Sequence, residues 1–403
     1  MLKELHLKNW KSFRSGKLYI DPLTIVIGTN ASGKSNILDS LMLLYRMAKG
    51  EQLSTIFNGS ATGVGIRGGM NWAIYHGEDH CILKVVIGSP DEAPYDYEYQ
   101  IGLRLKDSYV EVAEESLTRY KVSVKGNWQY PKKLFYTRAD DDSPGITGYF
   151  NTGTKGRGKN IKFNRGFSII SQVKAMPLRQ EVKKGSDIIT EQLGRIFILD
   201  PIPSHMRQFS PLSTQLEGDA SNIAGVLAAV KESDRGSEVE QLLTKYLKQI
   251  PEKDIERIWT ERVGKFKSDA MLYCEESWRG EQKTTVDLRG MSDGTLRFLG
   301  IITAILTAPP NSLLVIEEID NGLHPSRATD LVQMLKELGH HQGVDIVCTT
   351  HNPALLDALG NSMVPFISVT HRDASGASKI TLLEDIEELP KLMASGTVGD
   401  LTT

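Results

Sequence analysis

The hydrophobic pattern changes period several times along the chain. Met1-Leu2-Lys3-Glu4-Leu5-His6-Leu7 alternates apolar and polar positions, which is strand spacing, and residues 1–27 predict two or three strands. The last of them, Leu23-Thr24-Ile25-Val26-Ile27, is continuous and β-branched, as a buried strand is. After Ser35 the apolar residues Ile37, Leu38, Leu41, Met42, Leu44 and Tyr45 recur at helical spacing. Residues 51–70 are rich in Gly, Ser and Thr and read as a loop. Strand patterns follow at Cys81–Ile87, at Tyr95–Leu103, which reads as half-exposed and antiparallel, and at 127–136.

Val182–Phe197 predicts a helix running into Ile196-Phe197-Ile198-Leu199, a buried strand stopped by Pro201. Ala220–Ser233 and Ser237–Gln249 read as amphipathic helices, and Ile255–Glu281 as a helical start giving way to alternation. The C-terminal third alternates helix and strand: Arg297–Leu306, the strand Leu313–Ile316, Arg327–Leu338, the strand Asp345–Thr350, a short helix Pro353–Leu359, and two edge strands within Ile367–Leu383. There are no internal repeats and no sustained heptads.

Composition narrows the class. With 403 residues, 40% hydrophobic and 24% charged, the chain matches soluble globular proteins of two or three domains. No apolar run reaches transmembrane length, and the N-terminus has no signal-peptide core. Cys81, Cys274 and Cys348 are scattered without metal spacing, so a cytoplasmic location is expected. A net charge of −3 argues against a protein that is basic overall. One stretch is locally basic: Asn151–Gly166 carries Lys155, Arg157, Lys159, Lys162 and Arg165 with no acid. It reads as a flexible loop, either a solvated tip or a contact for a phosphate backbone or acidic partner.

The chemistry-bearing stretch is Gly28-Thr29-Asn30-Ala31-Ser32-Gly33-Lys34-Ser35, which fits G-x-x-x-x-G-K-[ST] and sits where a strand turns into a helix. Such a loop turns backbone N–H groups toward a phosphate, and the helix N-terminus adds positive potential. Lys34 can reach the β- and γ-phosphates, and the Ser35 hydroxyl can ligate Mg²⁺.

Downstream, Leu313–Ile316 runs into Glu317 and Glu318. A buried parallel strand delivers side chains at its C-terminal tip, where α/β sheets bind ligands. Glu317 is the metal-side candidate, and Glu318 is the candidate base for an attacking water. Ser292 of Met291-Ser292-Asp293-Gly294-Thr295 is a good N-cap, and that helix start is a second candidate anion site. His351 follows a buried strand and can donate to a γ-phosphate.

In this order, with Asn321-Gly322-Leu323-His324-Pro325, these segments resemble the ABC-type ATPases of the RecF, SMC and OLD group. They look closest to the AAA-type ATP-binding proteins common in bacterial phage-defence and toxin–antitoxin operons. The resemblance covers roughly 1–75 and 285–372. It implies an α/β fold, a P-loop NTPase of the ABC-type head kind, with core segments 1–76 and 285–403. Residues 77–284 form a mixed insertion, strand-rich over 77–170 and mostly helical over 180–260.

The resemblance implies that Gly28, Asn30, Ala31, Ser32, Gly33, Lys34, Ser35 and Asn36 hold ATP and Mg²⁺, and that Glu317 and Glu318 are the Walker B pair. Ser292 and Gly294 stand as the signature motif, Asn321–His324 as the D-loop and His351 as the switch histidine. Lys11, Phe13 and Arg14 approach the nucleotide, and Gln100 and Gln172 compete for the Q-loop role. Glu317 replaces the usual aspartate, and Asp293 replaces the usual second glycine of the signature.

The same resemblance implies a homodimer or larger even-numbered assembly closing over ATP, with Lys34 of one chain and Ser292 of the other on one γ-phosphate. It points to the sensor subunit of an anti-phage or toxin–antitoxin pair. With no nuclease constellation here, a separately encoded effector, a nuclease, is expected. The competing expectation is a DNA repair or maintenance ATPase that binds DNA through Lys155–Arg165. A non-hydrolysing scaffold and a transporter's nucleotide-binding subunit are further alternatives, and the strand-rich insertion disfavours the second.

Overall fold

In the computed structural model the described residues are 1–60, 63–89, 94–107, 109–138, 143, 145–152, 159–174, 176–248, 254–278, 282–321, 328–352, 355, 357 and 360–386. The expected helix Pro353–Leu359 and the D-loop segment from Gly322 onward fall almost wholly outside them. Contacts gather the chain into two units, Met1–Ile196 with Ile367–Ile386, and Phe197–Phe366. The core-and-insertion division concerns which segments carry the shared motifs and stays a proposal.

The first unit begins with β1 (Leu2–Trp10), β2 (Phe13–Tyr19) and β3 (Leu23–Gly28), three strands where two or three were expected. Helix α1 (Lys34–Ala48) follows, with Ile37, Leu38, Leu41 and Leu44 on its buried face. The segment read as a loop contains a short helix, α2 (Leu53–Asn58), seated by Leu53, Ile56 and Phe57. Then come β4 (His80–Gly88), β5 (Tyr95–Lys106), β6 (Tyr109–Val122), β7 (Trp128–Thr137), β8 (Gly145–Phe150) and β9 (Lys159–Asn164), each antiparallel to the next. Helices α3 (Ile169–Gln172) and α4 (Gln180–Gly194) cover one face. Gly185 of α4 lets the helix approach Leu134, Tyr97 and Leu117, and a Cβ there would have to displace the Leu134 side chain.

The second unit starts with β10 (Ile196–Leu199), then α5 (Pro203–Met206), β11 (Ser210–Pro211), α6 (Ile223–Lys231) and α7 (Gly236–Leu247). Strands β12 (Asp254–Val263), β13 (Asp269–Trp278) and β14 (Gln282–Asp287) form a small antiparallel sheet with β11. The helical start expected at Ile255 is instead β12. A bulge between Ile255 and Arg257 resets the alternation, so buried Ile255 and Ile258 stand three apart and mimic helical spacing. Helix α8 (Asp293–Thr307) is buried along most of its length. Strand β15 (Leu313–Ile316) lies parallel to β16 (Asp345–Thr350), with β10 on its other side and α9 (Ala328–Gln342) between them in sequence.

The chain returns to the first unit with β17 (Ile367–Arg372) and β18 (Ser378–Leu382). These were expected as edge strands and are interior ones. β17 lies parallel to β3, and β18 joins β17 to β2. Their alternation reads like an edge because the pairing partners lie more than three hundred residues away in sequence, where no local pattern records them.

Candidate functional site

In the first unit the glycine-rich segment is a tight loop between β3 and α1. Gly28 has φ +155°, and a Cβ there would stand 2.3 Å from the Thr370 carbonyl oxygen. Gly33 caps α1 at φ +117°, where a Cβ would meet Ser378 Oγ at 2.7 Å and the Phe13 ring at 2.9 Å. Ala31 takes a positive φ of 64°, uncommon for a residue with a Cβ. The loop is braced from β17 and β18. Ser32 Oγ and Thr370 Oγ1 share a hydrogen bond of 2.7 Å, Ser378 Oγ donates to the Ser32 carbonyl at 2.6 Å, and Arg372 Nε donates to the Ala31 carbonyl at 3.0 Å.

Lys34 is buried, and its ammonium donates to the Gly28 carbonyl at 2.6 Å and the Thr29 carbonyl at 3.1 Å. The cation is thus held against the loop whose N–H groups would bind the anion. Asn30 is exposed at the rim. Asn36 donates through its side chain to Ser12 Oγ at 2.7 Å and through its carbonyl receives Trp10 Nε1 at 2.8 Å, so it ties the end of β1 and the turn after it to α1. Lys11 and Arg67 both pair with buried Asp39 on α1, and Arg67 also donates to the Ser35 carbonyl at 3.3 Å. Burial holds the Lys11 ammonium below its ordinary range, with Asp39 opposing the shift. Phe13 lies against Gly33, and the Arg14 guanidinium lies over the Tyr75 ring at 5.3 Å.

Thr370, Ser378, Arg372, Asp39 and Arg67 carry no motif and were not expected at the loop. Gln100 and Gln172, the two Q-loop candidates, are both committed elsewhere. Gln100 donates to Glu114 at 2.8 Å, and Gln172 bonds back to Asn164 and Phe167.

In the second unit β15 ends at Ile316 and delivers the two carboxylates. Glu318 has φ +48°, a strained conformation for a residue with a side chain, and strain of this kind gathers at functional positions. The neighbouring strand holds it there: Glu318 N donates to Thr349 Oγ1 at 2.9 Å and Ile319 N to the Thr349 carbonyl at 3.0 Å. Its carboxylate faces His351, with Oε1 3.8 Å from Nδ1. Glu317 is half-buried beside it.

Asp320, not singled out in the sequence, adds a third acid, and its Oδ1 is buried with no hydrogen-bond partner among the described residues. Burial, and then the Asp320 charge, push the Cys348 thiol up. Among the described residues no three His, Cys, Asp or Glu side chains converge as a metal site. A cation would therefore need phosphate or water oxygens as further ligands.

Ser292 caps α8 as expected, its Oγ accepting from Thr295 N at 3.1 Å, and Gly294 is buried in the first turn. Arg207, another unexpected residue, donates to the Met291 carbonyl at 2.8 Å and to Asp293 at 2.7 Å, fixing the approach to this helix.

The basic stretch separates into different roles. Lys155 and Arg157 lie outside the described residues; Lys159 and Lys162 belong to β9 rather than to a flexible loop. Arg165 is 4% exposed and donates to the Val112 and Ser143 carbonyls, so its guanidinium is not available to a phosphate backbone.

A family described as "AAA ATPase domain" matches residues 1–64, and one described as "AAA domain, putative AbiEii toxin, Type IV TA system" matches 233–357. The chromosome partition protein Smc of Methanococcus voltae is 42% identical over 67 residues, 14% of this chain and 6% of that protein. The DNA replication and repair protein RecF of Rickettsia conorii is 26% identical over 160 residues, 39% of this chain and 37% of that protein. The aligned stretches thus span well under half of these relatives. A crystal structure of an Smc head bound to the C-winged helix domain of ScpA covers 94% of this chain and 97% of its own, at 14% identity and a TM-score of 0.50.

The fold is that of an ABC-type ATPase head, a P-loop NTPase. Together the matches support an ABC-type ATPase of the RecF and SMC group. Among the described residues no helix is long and apolar enough to cross a membrane.

Proposed function

We propose that this chain binds and hydrolyses ATP with Mg²⁺, as a head that closes on a second copy of itself over the nucleotide. The observation that carries the reading is the loop Gly28–Ser35, whose glycines admit no side chain and whose Lys34 ammonium already lies against the loop carbonyls. A loop of this build, at the start of a helix, suits a triphosphate.

In this reading Lys34 binds the β- and γ-phosphates, and Ser35 and Glu317 are the metal-ligand candidates of their respective units. Glu318 is the base for water, and His351, 3.8 Å from it, orients that base or donates to the γ-phosphate. Ser292 and the start of α8 meet the γ-phosphate bound to the partner copy. ATP then acts as the adhesive between copies, and hydrolysis releases them. The test is ATP turnover with Mg²⁺, together with the mass of Glu318→Gln with and without ATP. Trapping of a nucleotide-bound pair is expected; a variant that stays monomeric with ATP and Mg²⁺ sinks the paired-head mechanism.

We further propose that the head is the cytoplasmic sensor of a toxin–antitoxin or anti-phage pair whose effector, a nuclease, is a separate protein. The family description that names a Type IV toxin–antitoxin system supports this reading. Co-purification with neighbouring gene products is its test. The second reading, a DNA repair or chromosome-maintenance ATPase, is supported by the stretches shared with Smc and RecF. DNA-stimulated turnover would favour it.

A further inference from the structure

Strands β5, β6 and β7 pack one face under α4, and the opposite face changes chemistry from β5 to β9, from buried Asp96 to exposed Lys133, Asn160 and Lys162. The pairings Gln100↔Ser116, Ser116↔Tyr136, Tyr136↔Tyr149 and Tyr149↔Asn160 trace that face from β5 to β9. On β5 and β6 it carries Asp96, Glu98 and Glu114, engaged by Lys3, Lys84 and Gln100. On β7 to β9 the acids stop.

There Tyr136 and Tyr149 stack with centroids 5.3 Å apart and planes 16° from parallel. Lys133 stands over Tyr136 at 5.4 Å and Arg138 over Tyr149 at 4.8 Å. Lys162, opposite Thr147, adds a third cation on the same face. Lys133, Arg138, Lys162 and Asn160 are exposed, and none of the three cations is ion-paired among the described residues. The acidic run Asp140–Asp142 lies outside those residues.

From this we infer that this face of β7, β8 and β9 binds unpaired nucleic acid, with bases on the Tyr136–Tyr149 stack and phosphates on Lys133, Arg138 and Lys162. Two features favour single strands over a duplex. A stacked aromatic pair standing on a strand face can extend its stack only with bases that are free to splay out. Adjacent strands stand about 4.8 Å apart, so cations on β7 and β9 flank the platform at a spacing of about 10 Å, within reach of successive phosphates. The inference does not rest on ATP hydrolysis, and it uses a strand face rather than the loop 153–158.

Fluorescence anisotropy on the full chain tests it, with labelled oligo-dT and oligo-U of about 20 nucleotides, longer than the usual single-strand site, and a blunt duplex of that length. Both single strands should bind more tightly than the duplex, and their ratio tells whether DNA or RNA suits the face. Tyr136→Leu with Tyr149→Leu should weaken single-strand binding about tenfold or more. Lys133→Gln with Arg138→Gln and Lys162→Gln, all at exposed positions, should lower the salt slope by about 2.

ATP turnover and melting temperature of each variant should stay at the parent's values. This separates failure of the face from failure of the ATPase reading. No single-strand binding by the parent, duplex binding as tight as single-strand binding, or unchanged affinity in the folded tyrosine variant would each overturn the inference.

Discussion

A Cβ at Gly28 would stand 2.3 Å from a backbone oxygen, whereas Glu318, at the other candidate site, has its side chain 44% exposed and, among the described residues, a single ionic neighbour at 3.8 Å. The first region is closed by covalent geometry and close packing. Two glycines, three braces from β17 and β18, and a buried lysine leave its backbone one arrangement. The second has a pinned backbone and a more exposed side chain: Thr349 fixes Glu318 N, while among the described residues the carboxylate faces only His351, at 3.8 Å. A phosphate site must present its dipoles before the anion arrives, because preorganisation is what makes them effective. A general base, by contrast, often reaches good geometry only with substrate and water in place. The contrast therefore matches a division between binding and chemistry.

The sharpest way to break this comparison is Gly28→Ala. The added methyl meets the Thr370 carbonyl, which cannot rotate away, so a loss of about 4 kcal/mol is expected in urea unfolding. A change within about 0.5 kcal/mol would mean that the loop is not closed at all. Next is Lys34→Met, for which nucleotide affinity should fall by about 10²- to 10³-fold, by analogy with the removal of other preorganised charge partners. Calorimetric titration reads it, and binding at parental affinity would remove Lys34 from the phosphate site.

Glu115 gives a third measure, of how stiff the first unit is away from the loop. This carboxyl is fully buried under Ile169 N, Ile170 N and Tyr99 Oη, and burial outweighs those donors to push it up to about 7 from an ordinary 4.5. The neutral acid therefore suits the folded state. The stability it contributes is complete below about 4.5 and lost as pH rises through about 7, a span worth about 3 kcal/mol. Unfolding midpoints of parent and Glu115→Gln from pH 4 to 8 check this, the variant being expected to lack that part of the slope. Parallel curves would show that the carboxyl is not closed off.

On the other side of the comparison, Glu318→Gln should reduce turnover about 10²-fold while leaving nucleotide affinity within about threefold of the parent. If affinity and turnover fell together, the carboxylate would belong to binding instead. The smallest effect is expected for Arg207→Ala, which frees the Met291 carbonyl and Asp293 ahead of α8 and should cost about 1 kcal/mol in thermal unfolding.

Much of this was legible in the linear chain because the chemistry is local. The strand, glycine loop and helix from Leu23 to Tyr45 are contiguous, and so are the apolar run and two acids from Leu313 to Glu318. The serine cap of α8 was legible for the same reason, since a cap and its N–H partner sit three residues apart. What escaped was set by distant pairings or by a local irregularity. The bulge in β12 disguised a strand as a helix start. Arg165 looked like a surface cation until its carbonyl partners, Val112 and Ser143, came into view.

The glycine-rich strand-to-helix loop and the pair of strand-end carboxylates could be read from the residues alone, because each is written in one short contiguous stretch. It took the folded chain to show that Thr370 and Ser378 brace that loop and that β17 and β18 are interior strands. The fold alone showed that tyrosines from β7 and β8 share one face with a lysine from β9. Those facts depend on strand register between segments far apart in the chain, and register is fixed by the joint burial of whole faces rather than by any one segment's pattern.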